Sequence, residues 1–252
     1  MSIYNLIKDT IEKKGAAYFI LIDPDKLPLE KTESFVTYCE TAGVDGFLIG
    51  GSLMINGDLD MSIKEVKKHS NLPVVIFPGS VNQVSKFADA ILYISLISGR
   101  NAEHLIGKHV QAAPLLKRYN LEPISTGYML IESGKTTTAE YISESKPIPR
   151  NKPEIAAATA LAGEYLGMKL IYLEGGSGAE NSIPTKMIEE VTKNINIPVI
   201  VGGGIKTPLE ARDKVMAGAK IIITGNFFEN ENNWELIPEF CSAIHTNQQI
   251  EI

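Results

Sequence analysis

Eight short apolar runs punctuate the chain: AYFILID, DGFLIGG, PVVIFPG, AILYISLIS, GYMLIE, KLIYLEGG, PVIVGGG and KIIITGN. Each is rich in β-branched residues and is almost continuously apolar, where a strand with one wet face would alternate. Such runs are strands covered on both faces. Segments with helical spacing lie between them, among them LEKTESFVTYCETAG, LDMSIKEVKKHSN, AEHLIGKHVQAAPLLKRYN, KPEIAAATALAGEYLG, PTKMIEEVTKN and TPLEARDKVMAGAK. This alternation forces a parallel sheet, because parallel neighbours need a long crossover. The ends of the runs, Asp23, Ser52, Pro78, Ser98, Glu132, Glu174, Gly203 and Gly225, recur every 20 to 42 residues, the scale of one βα unit. Eight units in 252 residues predict an α/β protein, a single-domain (β/α)8 TIM barrel over residues 1–252, with no linker to divide it.

Composition narrows the function. With 24 basic and 30 acidic side chains, a net charge of −6, 21% charged and 44% hydrophobic residues, the chain has neither the basic surface of a nucleic-acid binder nor the profile of a disordered one. The N-terminus lacks the phases of a signal peptide, and the run AAYFILI falls far short of the roughly 18 apolar residues of a membrane span. A cytoplasmic location with no transmembrane segment is expected. Cys39 and Cys241 are the only cysteines and read as small core residues of two helices.

Local signals agree with the barrel. Ser182 before Ile183–Pro184 and Thr207 before Pro208 read as helix caps, while Gly43, Gly167 and Gly218 stand where helices stop. The segment 133–152 after the fifth strand reads as one long irregular loop, either a lid or a surface excursion. After Asn230, NWELIPEFCSAIH reads as a last helix and HTNQQIEI as a fraying end.

Barrels of this kind carry their active sites at the carboxyl ends of the strands, so chemistry is sought there. Asp23 leaves the first strand directly, whereas Asp25 already lies in the turn; the plainer reading of Asp23 is a turn aspartate bonding its own backbone. Gly50-Gly51-Ser52 ends the second strand, which a barrel places beside the first. Asp23 and Ser52 are therefore candidates to share one Mg2+ with waters and a substrate phosphate. The strongest signal is three glycine-rich turns on the last three strands: Glu174 through Gly178, then Gly202-Gly203-Gly204, then Gly225-Asn226. Glycines expose backbone amides in concave nests, and helix N-termini beyond them add positive potential, which reads as a phosphate cup. Glu174 is placed to hold or deprotonate a hydroxyl of the bound ester, with Tyr172 on the same face of its strand. Glu132 is a further candidate inward carboxylate. Arg100 in SGRN is either an anion contact or part of a turn. His69, His104, His109 and His245 fall in helical or tail sequence and read as solvated or capping side chains.

In order along the chain, LIDPDK, LIGGS, YISLISGRN, IYLEGGSGA, VGGGIK and TGNFFE resemble the geranylgeranylglyceryl phosphate synthase family, which includes the heptaprenylglyceryl phosphate synthases. The shorter heptaprenyl branch carries a lysine two places before the aspartate, where this chain has Leu21. The resemblance implies a Mg2+-dependent prenyltransferase of phospholipid and ether-lipid biosynthesis. It would move a geranylgeranyl or similar chain from its diphosphate to the 3-hydroxyl of sn-glycerol 1-phosphate. It further implies Asp23 and Ser52 as metal contacts and Tyr172, Leu173, Glu174, Gly175, Gly176, Ser177, Gly178, Gly203, Gly204, Gly225 and Asn226 as substrate contacts, while the strand-end positions make Asp23 and Glu174 the catalytic candidates. A homo-oligomer and transient membrane contact for product release are expected with it. Two readings compete: a sugar-phosphate isomerase of the histidine-biosynthesis type, pairing Asp23 with Glu132, and a phosphate-binding barrel without catalysis. The isomerase would need a second phosphate cup, and only the one on strands six to eight is evident.

Overall fold

The computed structural model describes residues 2–247. The chain enters through a helix, α1 (Ile3–Lys14), and then lays down β1 (Ala17–Ile22), α2 (Leu29–Ala42), β2 (Gly46–Gly51), α3 (Leu59–His69), β3 (Val74–Pro78) and β4 (Ala90–Leu96). It continues with α4 (Lys108–Tyr119), β5 (Glu122–Leu130), α5 (Thr138–Ser143), α6 (Pro153–Tyr165), β6 (Leu170–Glu174), α7 (Thr185–Asn194), β7 (Val199–Gly202), α8 (Pro208–Met216), β8 (Ile221–Thr224) and α9 (Ile237–Ile244). The eight strands are all parallel, and β8 pairs with β1 to close the barrel. The fold is the single-domain (β/α)8 TIM barrel that the strand pattern predicts.

Both faces of the strands are buried, which is why their sequences do not alternate. Inward side chains such as Phe19, Leu48, Val75, Leu92, Ile124, Leu170, Ile200 and Ile221 fill the interior. Their outward neighbours, among them Tyr18, Ile20, Phe47, Ile49, Leu173 and Val201, pack beneath the helices. Gly46 is needed inside, because a Cβ there would lie 2.3 Å from the Phe19 ring.

The first helix has no counterpart in the predicted elements, although its signal is present. Ser2 caps it by accepting the Asn5 amide at 3.2 Å, and Ile3, Ile7 and Ile11 repeat along one face. Ile7 is buried against the interior cluster. Glu122 at the start of β5 accepts the amides of Ile3 and Tyr4 at 2.6 and 3.1 Å, so α1 is pinned across the lower mouth.

Three further expectations are corrected. The segment 133–152 is not irregular throughout, since Thr137 caps the short helix α5 by accepting the Glu140 amide, and Ile148 bridges back to Ile131. Ser182 is not the cap of α7, which starts after Pro184 with no side-chain cap, whereas Thr207 does cap α8. The end does not begin to fray at His245, which is 2% exposed and whose Nε2–H donates to the Asp45 carboxylate at 2.8 Å; residues 248–252 of that tail lie outside the described residues. Between β3 and β4, residues 79–89 form no helix, so one sector of the barrel lacks its outer cover.

Asp45, just before β2, holds the lower end together. It accepts the Tyr18 amide at 2.8 Å, meets His245 at 2.8 Å and pairs with Lys14 at 2.5 Å, linking α1, β1 and the residue after α9. Burial pushes its carboxyl up, but these partners more than offset that and leave it below the usual carboxylate value. A depressed folded pKa gives stability that is complete above the unfolded value and is lost as pH falls through the folded one. Asp45→Asn is expected to lose about 3–5 kcal/mol in urea denaturation near neutral pH, and to flatten the acid side of the stability profile; an unchanged acid slope would refute this role.

Candidate active site

At the upper mouth, the turn after β1 is built by two aspartates with different tasks. Asp23 Oδ1 accepts the Asp25 amide at 2.9 Å, so it does form the local turn, yet its carboxylate also faces the cavity. Asp25 points away and accepts the amides of Ile55 and Asn56 at 2.7 and 2.8 Å and that of Gly57. These bonds hold its pKa down and tie the loop after β2 to the turn after β1. Gln83 ties the next pair of strand ends, donating to the Gly51 carbonyl at 3.1 Å and accepting the Gly79 amide at 2.9 Å. Gly51 consequently sits against Asp23, with a Cβ position 3.2 Å from Oδ2. Burial raises the Asp23 carboxyl above its usual value.

On the opposite wall, Glu174 ends β6 and is 5% exposed. Its Oε1 accepts the Gly176 amide at 2.6 Å, and the phenols of Tyr172 and Tyr128 hydrogen-bond to the carboxylate. Burial still lifts its pKa above the usual value. Burial and the neighbouring Glu174 charge push both phenols well up, so they stay protonated donors. The rings of Tyr172, Tyr128 and Phe77 contact one another at 5.2 to 6.0 Å and floor the cavity. Gly202 leaves room for the Tyr172 hydroxyl, which a Cβ would approach to 2.3 Å.

The glycine turns do form a concave rim. Gly203 has φ +84°, and a Cβ on it would lie 2.6 Å from both Glu174 Oε1 and the Gly176 nitrogen, so only glycine admits this closeness. The segment after β8 is a single 3-10 turn, Asn226–Glu229, and α8 starts only at Pro208, so the cup draws on exposed amides more than on long helix dipoles.

One cavity of about 360 Å3 joins these parts: Asp23, Lys26, Ser52, Tyr172, Glu174, Gly176, Ser177, Gly203, Gly225 and Asn226 all line it. Gly175, Gly178 and Gly204 lie in the turns behind the lining, and Leu173 faces the helices, so its side chain is no substrate contact. Sequence reasoning missed Tyr128, Phe77 and Glu229, which share the cavity, and Thr138 and Ala139, which bring the 133–152 segment to its edge. Glu229 is raised by burial and by the Asp23 charge. Glu132 is exposed and its carboxylate accepts the Arg150 amide at 3.4 Å, so it is not an inward carboxylate. Arg100 donates to the carbonyls of Ile97 and Gly99. His109 and His245 are buried, contrary to the solvated reading, and His104 lines an apolar groove.

That groove leaves the cavity beside Gly51, Ser52, Phe77, Tyr128 and Ala139. It runs as two connected pockets of about 90 and 110 Å3 along β3 and β4, beneath α4, past Ile94, Leu96 and Val84. It lies between α4 and the 79–89 loop, where no helix follows β3.

Residues 8–243 match the PcrB family. The chain belongs to the PcrB family. A geranylgeranylglyceryl phosphate synthase of Chitinophaga pinensis is 46% identical over 96% of both chains, and one of Thermococcus gammatolerans is 46% identical over 94% of both. The crystal structure of (S)-3-O-geranylgeranylglyceryl phosphate synthase from Thermoplasma acidophilum, in complex with sn-glycerol-1-phosphate, superposes with a TM-score of 0.90 at 33% identity, covering 98% of this chain and 99% of that one. Membership makes the chain an enzyme of the prenyltransferase class. No helix among the described residues is long and apolar enough to cross a membrane.

Gly203→Ala should leave the fold intact but displace Glu174 and the Gly176 amide, lowering turnover at least about 10²-fold, on the scale of losing a positioned catalytic group. Near-normal steady-state rates in a folded G203A protein would refute the packing role assigned to this glycine.

Proposed function

We propose that the enzyme transfers a geranylgeranyl group from its diphosphate to the 3-hydroxyl of sn-glycerol 1-phosphate, with Mg2+. The observation that carries the proposal is the joining of a polar cavity with two chemically distinct walls to an apolar groove. The glycine rim suits a phosphate monoester, the Asp23 wall suits a metal diphosphate, and the groove suits a hydrocarbon chain. The relatives' names supply the geranylgeranyl length. The isomerase reading loses its second carboxylate, because Glu132 is exposed, and the β3–β4 side presents apolar residues where the second phosphate cup it requires would be needed.

Asp23 and Ser52 are the residues that would hold Mg2+. Asp23 keeps one carboxylate oxygen beside Gly51 free of the turn, and the nearby Glu229 is raised by burial and by the Asp23 charge, an imbalance that a cation relieves. No cluster of three or more His, Cys, Asp or Glu among the described residues could hold a metal, and Mg2+ bound through one carboxylate, waters and substrate phosphates needs none. When bound, the ion supplies neutralisation of the diphosphate leaving group.

The chain's own residues do the remainder. The Gly176 and Gly203 turns, with Ser177 and Asn226, fix the phosphate so that the glycerol 3-hydroxyl meets Glu174. The Tyr172 and Tyr128 phenols and the Gly176 amide orient that carboxylate. The hydroxyl oxygen bonds to the allylic carbon as its bond to the diphosphate oxygen breaks, and the hydroxyl proton passes to Glu174. The aromatic floor and the groove keep water from the same carbon.

Asp23→Asn is expected to abolish Mg2+-dependent turnover in a folded protein; a near wild-type rate at saturating Mg2+ would overturn the metal assignment. Glu174→Gln should lower the turnover rate about 10²–10⁴-fold with phosphate-ester affinity unchanged or slightly improved. Because the base must be ionised and burial raises its pKa, kcat/KM for glycerol phosphate should fall with decreasing pH along a limb above the usual carboxylate value, and that limb should vanish in E174Q. If E174Q instead keeps its rate and only raises KM, Glu174 binds the substrate without taking its proton.

A further inference from the structure

A second cavity, of about 720 Å3, lies outside the barrel where the chain from β6 enters α7, and it shares no lining residue with the cavity described above. Lys214, on the buried side of α8, lines it and is only 6% exposed. Among the described residues no hydrogen bond and no ion pair within 4.0 Å reaches its ammonium; its nearest charges are Glu210, Asp213 and Arg150 at longer range. Burial pushes its pKa down, and the charges of Glu210 and Asp213 offset this only in part.

The surrounding groups are donors. Arg150 spends two guanidinium bonds on the carbonyls of Glu132 and Ser182, at 3.0 and 3.1 Å, and meets no carboxylate with its side chain. Helix α7 opens into the same cavity at Thr185 and Lys186, with no acidic residue in its first turn and no side chain capping it. The Pro184 carbonyl takes the amides of Met187 and Ile188, leaving those of Thr185 and Lys186 with no acceptor among the described residues. The acidic residues at the rim are engaged elsewhere: Glu210 accepts the Lys206 amide at 2.9 Å, and the Glu180 carboxylate lies against Gly134.

We propose that this cavity is a binding site for a phosphate-type oxyanion, inorganic phosphate or the phosphoryl end of a monoester, seated between the Lys214 ammonium and the free amides at the start of α7. The helix end supplies aligned N–H donors, Lys214 the charge, and Arg150 and Lys186 the rim. The site stands apart from the catalytic cup and requires neither its ligand nor its chemistry.

Two measurements on the full-length protein test it. In a crystal soaked with tungstate, anomalous density is expected between Lys214 and Thr185 in the wild type and absent from that place in Lys214→Met, whatever the catalytic cup contains. Tungstate at the cup alone in the wild type overturns the proposal. In solution, Lys214→Met removes a charge that no carboxylate pairs within 4.0 Å, so its Tm should equal or exceed the wild type's without phosphate. Rising phosphate should then lift the wild type above the variant by about 5–10 °C at roughly a hundred-fold excess over Kd. Lys214→Arg, which keeps the charge, should retain most of that lift and covers the case in which the methionine variant does not fold. Repeating the series with a phosphate monoester separates the two forms of ligand, the one with the larger wild-type shift being the better fit. A Tm difference between wild type and variant that is independent of phosphate and monoester alike would show that Lys214 serves only its neighbours Glu210 and Asp213, and would end the proposal.

Discussion

The packing of Phe77, Tyr128 and Tyr172 is the constraint on which the upper half of the molecule depends. Below these rings the interior is apolar; above them it is polar. A barrel interior that stayed apolar to the top would leave no place for Glu174, and one that turned polar lower down would lose core. The rings resolve this by being apolar on their faces and polar at their tips, so that two of them pass directly from core packing to contact with a carboxylate. The cost of burying Glu174 is met by an amide and two phenols in place of a cation. A lysine or arginine there would hold the carboxylate ionised, but would weaken it as a proton acceptor.

The same economy governs anion recognition. A rim made from glycine amides holds a phosphate without mobile charged side chains and needs little rearrangement when the ester arrives. It also demands an unusual backbone, which explains why so much of the upper face is fixed by local ties: Asp25 to the loop after β2, Gln83 across the ends of β2 and β3, and the Gly176 amide to Glu174.

Wherever a residue's role follows from strand periodicity, the sequence was legible. The eight apolar runs became the eight strands, and Asp23, Ser52, Tyr172, Glu174 and Gly203 came to one cavity because strand ends in a closed barrel converge. The same periodicity, applied more strictly, would have turned Leu173 away from the site, since it alternates with Tyr172 and Glu174. Tyr128 and Phe77 were hidden because they lie inside apolar runs, where an aromatic residue in the core and one flooring a cavity look alike. Glu229 lies four residues beyond Gly225 and enters the cavity through a 3-10 turn that no spacing rule announces. The capped isoleucine repeat of α1 was readable from its sequence, whereas Lys214 differs from any surface lysine of an amphipathic helix only through packing.

The uncovered sector between β3 and β4 has an evolutionary consequence. Elsewhere around the barrel each strand is locked beneath a helix, so a changed side chain must be absorbed by two packed layers at once. Along residues 79–89 a loop takes the helix's place, and the groove is walled by that loop on one side and by α4 on the other. Substitutions at Val81, Val84, Ile94 or Ala112 can lengthen, shorten or bend the groove while the strand pairing and the polar cavity stay as they are. Selection can therefore retune which hydrocarbon a barrel of this kind accepts by drift on one flank, without passing through variants that fold poorly or have lost the chemistry.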